Sequence, residues 1–239
     1  MNNRIIIVPC FNEDGCIKSV IEEIASHQPA AEVVVINDGS TDMTSQAARS
    51  TGTASVIDLP VNLGVGGAVQ TGFKFAHKRK ADYAIKVDGD GQHPAAAVDS
   101  LLLPLMNGEA DLVIASRFLS PNMGYQSSFS RRIGSKVIQW LCQMLTGIRI
   151  TDPTSGYRAY NSRAISFMAR HYPTFDYPEP EEIVLAARNG LRIIEIPVEM
   201  RDRQAGISTI SSSMSIYYML KVTLAMIFIF LRPIEKIKE

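Results

Sequence analysis

At 239 residues the chain has the length of one large α/β domain with an ample core. Lys plus Arg and Asp plus Glu both number 24, so the formal net charge is zero; this excludes broad electrostatic attraction to nucleic acid as the basis of function. Three scattered cysteines, Cys10, Cys16 and Cys142, form no CxxC pair and predict reduced cytosolic thiols, with Cys10 and Cys142 in the core.

The chain runs at once into a predicted strand, Arg4-Ile5-Ile6-Ile7-Val8, so no signal peptide is expected. Strands are predicted at 4–9, 32–37, 54–58, 82–87 and 111–115, and helices near 14–26, 42–50, 65–79 and 94–106. The strand runs are short and β-branched, Val33-Val34-Val35-Ile36 being typical, as parallel strands covered on both faces require. Their alternation with helices predicts an α/β, doubly wound fold. The second half is less regular. An amphipathic helix is expected near 130–146, a loop at 151–158, a helix near 180–189 and a strand at 191–196 ended by Pro197.

The segment Ile216–Leu231 is apolar apart from Lys221 and Thr223. It is shorter than the about 20 residues of a membrane span. Arg232, Lys236 and Lys238 follow it. This predicts a helix lying in a membrane surface or against an integral membrane partner, the alternative being a buried core helix or a dimer interface. The chain divides on this reading into a catalytic domain, 1–210, and a C-terminal apolar helix, 211–239.

In open α/β sheets ligands bind at the carboxyl ends of the strands, and four polar groups fall there. The first strand ends in Pro9-Cys10-Phe11-Asn12-Glu13, the second in Asn37-Asp38-Gly39-Ser40-Thr41-Asp42, the fourth in Asp88-Gly89-Asp90-Gly91-Gln92-His93, and the fifth in Ala115-Ser116-Arg117-Phe118. Asp88 and Asp90, with glycines between and after, suit one hard cation such as Mg²⁺ or Mn²⁺ and its phosphate partners. The same residues are also turn formers. Asp38 has acceptor oxygens for a nucleobase N–H or a ribose hydroxyl. Ser40 or Thr41 is expected to cap the next helix, with Asp42 in its first turn. Asn62-Leu63-Gly64-Val65-Gly66-Gly67-Ala68 starts a helix; it reads equally as an anion-binding turn and as close helix–sheet packing.

These motifs, in this order, resemble family 2 glycosyltransferases of the GT-A fold, above all the dolichol-phosphate mannose synthase group and its bacterial polyprenyl-phosphate relatives. The resemblance continues through Ser116-Arg117-Phe118, Arg131 and Ser135, Asp152 with Ser155-Gly156-Tyr157-Arg158, and Arg203 with Gly206 and Ser208, and spans residues 4–209. It implies a nucleoside diphosphate sugar held by Asp38 and by the loop of Pro9, Asn12 and Glu13, with Gly64 nearby. It implies Mg²⁺ or Mn²⁺ on Asp88, Asp90 and Gln92, Asp90 being central to catalysis. Arg117, Arg131 and Ser135 would bind the phosphate of a polyprenyl phosphate acceptor. Asp152 and Ser155 would line the donor–acceptor junction, and Arg203 would clamp the phosphates. Inversion at the anomeric carbon is implied with these roles.

Glu181 separates two acceptor classes. A saccharide hydroxyl acceptor, as in cell-envelope glycan synthesis, needs a general base, and Glu181 sits where relatives carry one. A lipid phosphate is already an anion. A third reading is a non-catalytic sugar-nucleotide-binding subunit of a membrane complex. The expected location is cytoplasmic, peripheral on the inner face of the membrane, with no nucleic-acid partner.

Overall fold

Seven strands form one sheet. They are β1 (Arg4–Cys10), β2 (Glu32–Asn37), β3 (Ala54–Asp58), β4 (Tyr83–Lys86), β5 (Leu112–Ser116), β6 (Arg158–Asn161) and β7 (Ile193–Pro197). Their order is β3-β2-β1-β4-β6-β5-β7. All are parallel except β6, which is antiparallel to both β4 and β5. A computed structural model describes residues 2–119, 129–173, 178–201 and 215–234; for 129–133 and 215–218 it describes the backbone alone.

The helices are α1 (Ile17–His27), α2 (Thr44–Ser50), α3 (Gly64–Lys78), α4 (Val98–Met106), α5 (Phe129–Thr146), α6 (Ser162–His171), α7 (Glu179–Arg188) and α8 (Ser215–Leu231). They cover both faces of the sheet. Successive strand residues point to opposite faces: Ile5, Ile7, Val34 and Ile36 join the core under α3, α5, α6, α7 and α8, while Ile6, Val8, Val33 and Val35 join the core under α1, α2 and α4. α1 buries Ile17, Val20, Ile21 and Ile24, the i, i+3, i+4, i+7 pattern of an amphipathic helix. Each such side chain contributes about 1.5–3 kcal/mol on burial.

Two elements differ from the sequence expectation. The predicted loop at 151–158 leads into β6, which inserts between β4 and β5, and α6 follows it. Asn161 caps α6 by accepting the Ala164 N–H at 2.9 Å. The apolar stripe of α5 also divides. Ile138, Leu141 and Cys142 enter the core, whereas Val137, Trp140 and Met144 face outward. α8 behaves likewise. Val222, Met226 and Ile229 are buried, while Leu220, Leu224, Phe228 and Leu231 are exposed. Its buried face shares a core with α5 and α7. Among the described residues no helix is long and apolar enough to cross a membrane.

Candidate active site

β1, β2, β4 and β5 point the same way, so the four loops that follow them share one edge of the sheet. The first two are laced together. The Asn12 N–H donates to Ser40 Oγ at 2.9 Å, and Asn12 Oδ1 accepts the Thr41 N–H at 2.9 Å. The Glu13 N–H reaches Thr44 Oγ1 at 2.8 Å. Asn12 takes a left-handed φ of 55°, which asparagine tolerates better than most residues. Ser40 and Thr41 therefore bind the first loop rather than cap α2. Asp42 supports the start of α2 by accepting the Thr44 N–H at 3.0 Å. Pro9 is the penultimate residue of β1, beside Ile36 of β2.

Asp38 is buried at 3 % exposure. Its Oδ1 accepts the Leu63 N–H at 2.7 Å, and burial pushes its pKa up against the backbone N–H groups of Leu63 and Gly64. Gly39 is required here: at its φ of +68° a Cβ would meet Asn62 N at 2.8 Å. Gly64 donates its N–H to Asn62 Oδ1 at 3.0 Å. The Leu63 and Gly64 N–H groups at the start of α3 are thus engaged inside the protein.

The metal-type loop after β4 is organised from beneath by His93. Its Nδ1 accepts the Asp88 N–H at 3.0 Å, so the ring proton sits on Nε2, 3.7 Å from Asp88 Oδ2. Burial pushes the His93 pKa down, outweighing Asp88 and Asp90, and the imidazole is neutral. It stacks on Tyr157 with centroids 4.7 Å apart, and the Tyr157 hydroxyl donates to Pro94 O at 2.8 Å. Asp90, 2 % exposed, turns the loop by accepting the Gln92 N–H on Oδ1 at 3.1 Å. The Cys16 sulfur lies 3.2 Å from both Gly89 O and Glu13 Oε2, with one proton to donate to either, and so joins this loop to the first.

On the other side, Arg117 and Asp152 form one unit. Asp152, fully buried, accepts Arg117 Nε at 2.7 Å and the second terminal nitrogen at 2.8 Å, a bidentate pair. The Asp152 N–H in turn donates to Glu195 Oε1 at 2.8 Å, and the Thr151 N–H to Glu195 Oε2 at 2.7 Å. Ser155 Oγ is buried with no hydrogen-bond partner among the described residues, a group that a ligand or water atom normally satisfies. Ser135 accepts Gln139 Nε2 at 3.2 Å, and the same amide reaches Thr151 O at 2.6 Å. The Arg131 side chain and Arg203 lie outside the described residues. Arg201, two positions before Arg203, is anchored: its N–H bonds Gln92 O at 3.0 Å and its guanidinium bonds Glu23 at 2.6 Å.

Lys86, to which the sequence assigned no site role, meets the 155–158 turn and the acids of α7 beside the metal-type loop. Lys86, fully buried, places Nζ 2.7 Å from Glu179 Oε1 in the first turn of α7. A Cβ on Gly156 would meet Asp88 Oδ2 at 2.8 Å and Lys86 Nζ at 3.3 Å, so Gly156 marks the point where the ammonium and the first loop carboxylate converge. Arg158, the β4-facing partner of Lys86 in the ladder, pairs with Glu182 at 3.1 Å, both fully buried. Glu181 lies between these two acids on α7 and is 2 % exposed. Glu179, rather than Glu181, is the acid bonded to the lysine beside the metal-type loop.

The resulting site is an edge of acidic and amide oxygens on one side and a carboxylate-held arginine on the other, suited to an anionic, metal-bound donor facing an anionic acceptor. Residues 5–169 match the family described as Glycosyl transferase family 2. The chain is 27 % identical over 211 residues to the UDP-N-acetylglucosamine–dolichyl-phosphate N-acetylglucosaminyltransferase of Methanococcus voltae, covering 81 % of this chain and 84 % of that one. It is 29 % identical over 212 residues to the undecaprenyl-phosphate mannosyltransferase of Micrococcus luteus, covering 86 % of each. Glucosyl-3-phosphoglycerate synthase of Mycobacterium tuberculosis, solved with Mn²⁺, UDP-glucose and phosphoglyceric acid, superposes with a TM-score of 0.75 at 19 % identity, over 97 % of this chain and 81 % of that one. That likeness fixes the fold as GT-A, and with two-thirds of the sequence inside the family match, the chain belongs to glycosyl transferase family 2.

Proposed function

We propose that this glycosyltransferase moves one sugar from a nucleoside diphosphate sugar to the phosphate of a polyprenyl phosphate. The observation that carries the acceptor is the agreement between the two relatives. Their names differ in the sugar but share a polyprenyl-type phosphate, and each alignment spans more than four-fifths of both chains. The donor sugar stays open for the same reason.

The loop residues fit Mg²⁺ or Mn²⁺. Asp88, Asp90 and Gln92 offer two carboxylates and one amide oxygen, all hard ligands. Such a sparse protein set suits a cation that keeps water and diphosphate oxygens in its shell. When bound, the cation neutralises charge developing on the leaving nucleoside diphosphate.

The protein's own groups position the reactants. Asp38 and the Pro9–Glu13 loop hold the nucleoside. Arg117, fixed by Asp152, binds the acceptor phosphate together with Arg131 and Ser135, and Ser155 completes the junction. Arg203, following the anchored Arg201, covers the phosphates. An acceptor phosphate oxygen bonds to the anomeric carbon as the carbon–oxygen bond to the diphosphate breaks, with inversion. The acceptor is already an anion, so no general base is needed. The outward faces of α5 and α8 hold the enzyme on the cytoplasmic face of the membrane that carries such a lipid, directly or through an integral membrane partner.

Asp152→Asn tests the arginine unit. One charged hydrogen bond to Arg117 is lost, each being worth about 1.5–3 kcal/mol. The apparent KM for a polyprenyl phosphate is expected to rise about tenfold or more with donor affinity unchanged. An equal donor defect would remove the acceptor role.

The function itself is tested by transfer from a panel of UDP- and GDP-sugars to a short polyprenyl phosphate with Mn²⁺, scoring sugar in the organic phase. Metal-dependent lipid labelling is expected. Donor hydrolysis without labelled lipid would move the acceptor to a saccharide hydroxyl. Donor binding without turnover would favour a non-catalytic subunit.

A further inference from the structure

A second cationic feature lies outside the site above, on the outer side of α5. An open cleft of about 400 Å³ is lined by Lys136, Gln139, Trp140, Gln143, Arg149, Ile150 and Thr151. Two cations line it and no carboxylate does. Lys136 and Arg149 are exposed. Trp140 stands 63 % exposed at the cleft, and Val137 and Met144 on the same helix are exposed with it. Gln139 holds the inner wall by donating to Thr151 O at 2.6 Å.

An exposed indole flanked by apolar side chains and cations is a costly surface in water and a favourable one at a lipid interface, where the ring sits at head-group depth. A soluble anion would be met by the two cations but would leave the indole and its apolar neighbours uncovered. α8 packs beside α5, where a Cβ on Gly134 would meet Met219 Sδ at 3.1 Å, and it too has an apolar outward face. There Leu220, Leu224 and Phe228 face outward.

We propose that this cleft binds the phosphodiester head group of an anionic phospholipid, with Lys136 and Arg149 pairing the phosphate and Trp140 seated at the glycerol level. This rests on the membrane-surface reading of the enzyme and names the lipid class that surface selects. Gln139, in the cleft wall, also reaches Thr151 O just before Asp152.

Flotation of the full chain with phosphatidylcholine vesicles, with and without phosphatidylglycerol, tests the site without donor, metal or acceptor. Its outcome is therefore separate from that of the transfer assay. Binding is expected to rise with phosphatidylglycerol and to fall with salt. Lys136→Ala/Arg149→Ala is expected to lose on the order of 30-fold in partitioning, each basic residue near an anionic surface carrying a several-fold share. Both positions are exposed, so the fold is kept. Transfer to a short polyprenyl phosphate in detergent should be unchanged in this variant. Partitioning indifferent to phosphatidylglycerol, or unchanged in the double variant, overturns the proposal. A raised KM for the short acceptor in the absence of phospholipid also overturns it, by giving the cleft to the acceptor itself.

Discussion

Asp90→Asn is expected to lower kcat/KM by about 10³-fold or more, a loss of about 4 kcal/mol of transition-state stabilisation. The amide keeps the Oδ1 acceptor that takes the Gln92 N–H at 3.1 Å, so the turn survives and only the charge is removed. This separates the electrostatic role from the structural one, which Asp90→Ala would remove together with it. A second readout needs no turnover. In the wild type, Mn²⁺ with UDP should raise the melting temperature by mass action, because the complex forms only in the folded state. The Asn variant should melt at the same temperature or higher without metal, since a buried carboxylate has been neutralised beside Asp88, and should show little shift on adding Mn²⁺. Near-normal activity, or an undiminished Mn²⁺ shift, would remove Asp90 from the metal site.

The parts of the molecule that sequence exposes are those whose physics is local. β1, β2 and β5 are apolar runs and β4 alternates, and polar residues gather directly after each, so both the strands and the shared edge are legible. β6 is not. Its four residues, Arg158-Ala-Tyr-Asn161, show no apolar run, and Arg158 sits in a core because Glu182, 24 residues on, pairs with it and the Ser155 and Pro153 carbonyls accept its other N–H groups. The start of α6 carried a readable signal in Asn161, an N-cap residue directly before a helical stretch. In the site, Asp88, Asp90 and Gln92 were legible because their chemistry sits within five residues. Lys86 was not, because a lysine in an alternating strand reads as a solvent-facing position, and its partner Glu179 lies 93 residues away. His93 stood in plain view at the end of the acidic motif, yet its task of accepting the Asp88 N–H depends on a neutral ring enforced by burial. Arg117 and Asp152 were each expected at the site from the sequence, but not as each other's partners, since the antiparallel insertion of β6 brings the 151–158 turn against the end of β5.

The Lys86–Glu179 pair yields the second large effect, and its signs distinguish it from packing. Burial pushes the Lys86 pKa down, but Glu179 and then Asp88 push it up further, so the net shift is upward and the side chain is a buried ammonium. It faces two carboxylates, and Glu179, at 2.7 Å, takes the direct bond. Glu179→Gln leaves the ammonium with Asp88 as its nearest charged acid. The cation then competes with the metal, and Mn²⁺ affinity measured calorimetrically in the presence of UDP is expected to fall about tenfold, an interaction of about 1.4 kcal/mol. Lys86→Met does the reverse. It leaves Glu179 uncompensated beside the loop, so Mn²⁺ affinity should rise. Both single variants should unfold at lower denaturant, because breaking a buried pair on one side costs about 3–5 kcal/mol. Lys86→Met/Glu179→Met removes both charges and is expected to recover most of the stability together with near-native Mn²⁺ affinity, giving a large coupling energy in the cycle. If the two single variants instead moved metal affinity the same way, or their stability losses simply added, the pair would be acting through local packing alone. Opposite shifts in metal affinity with shared losses in stability would establish that a buried ion pair, anchored on the first turn of α7, sets how much of the Asp88 charge is left for the metal.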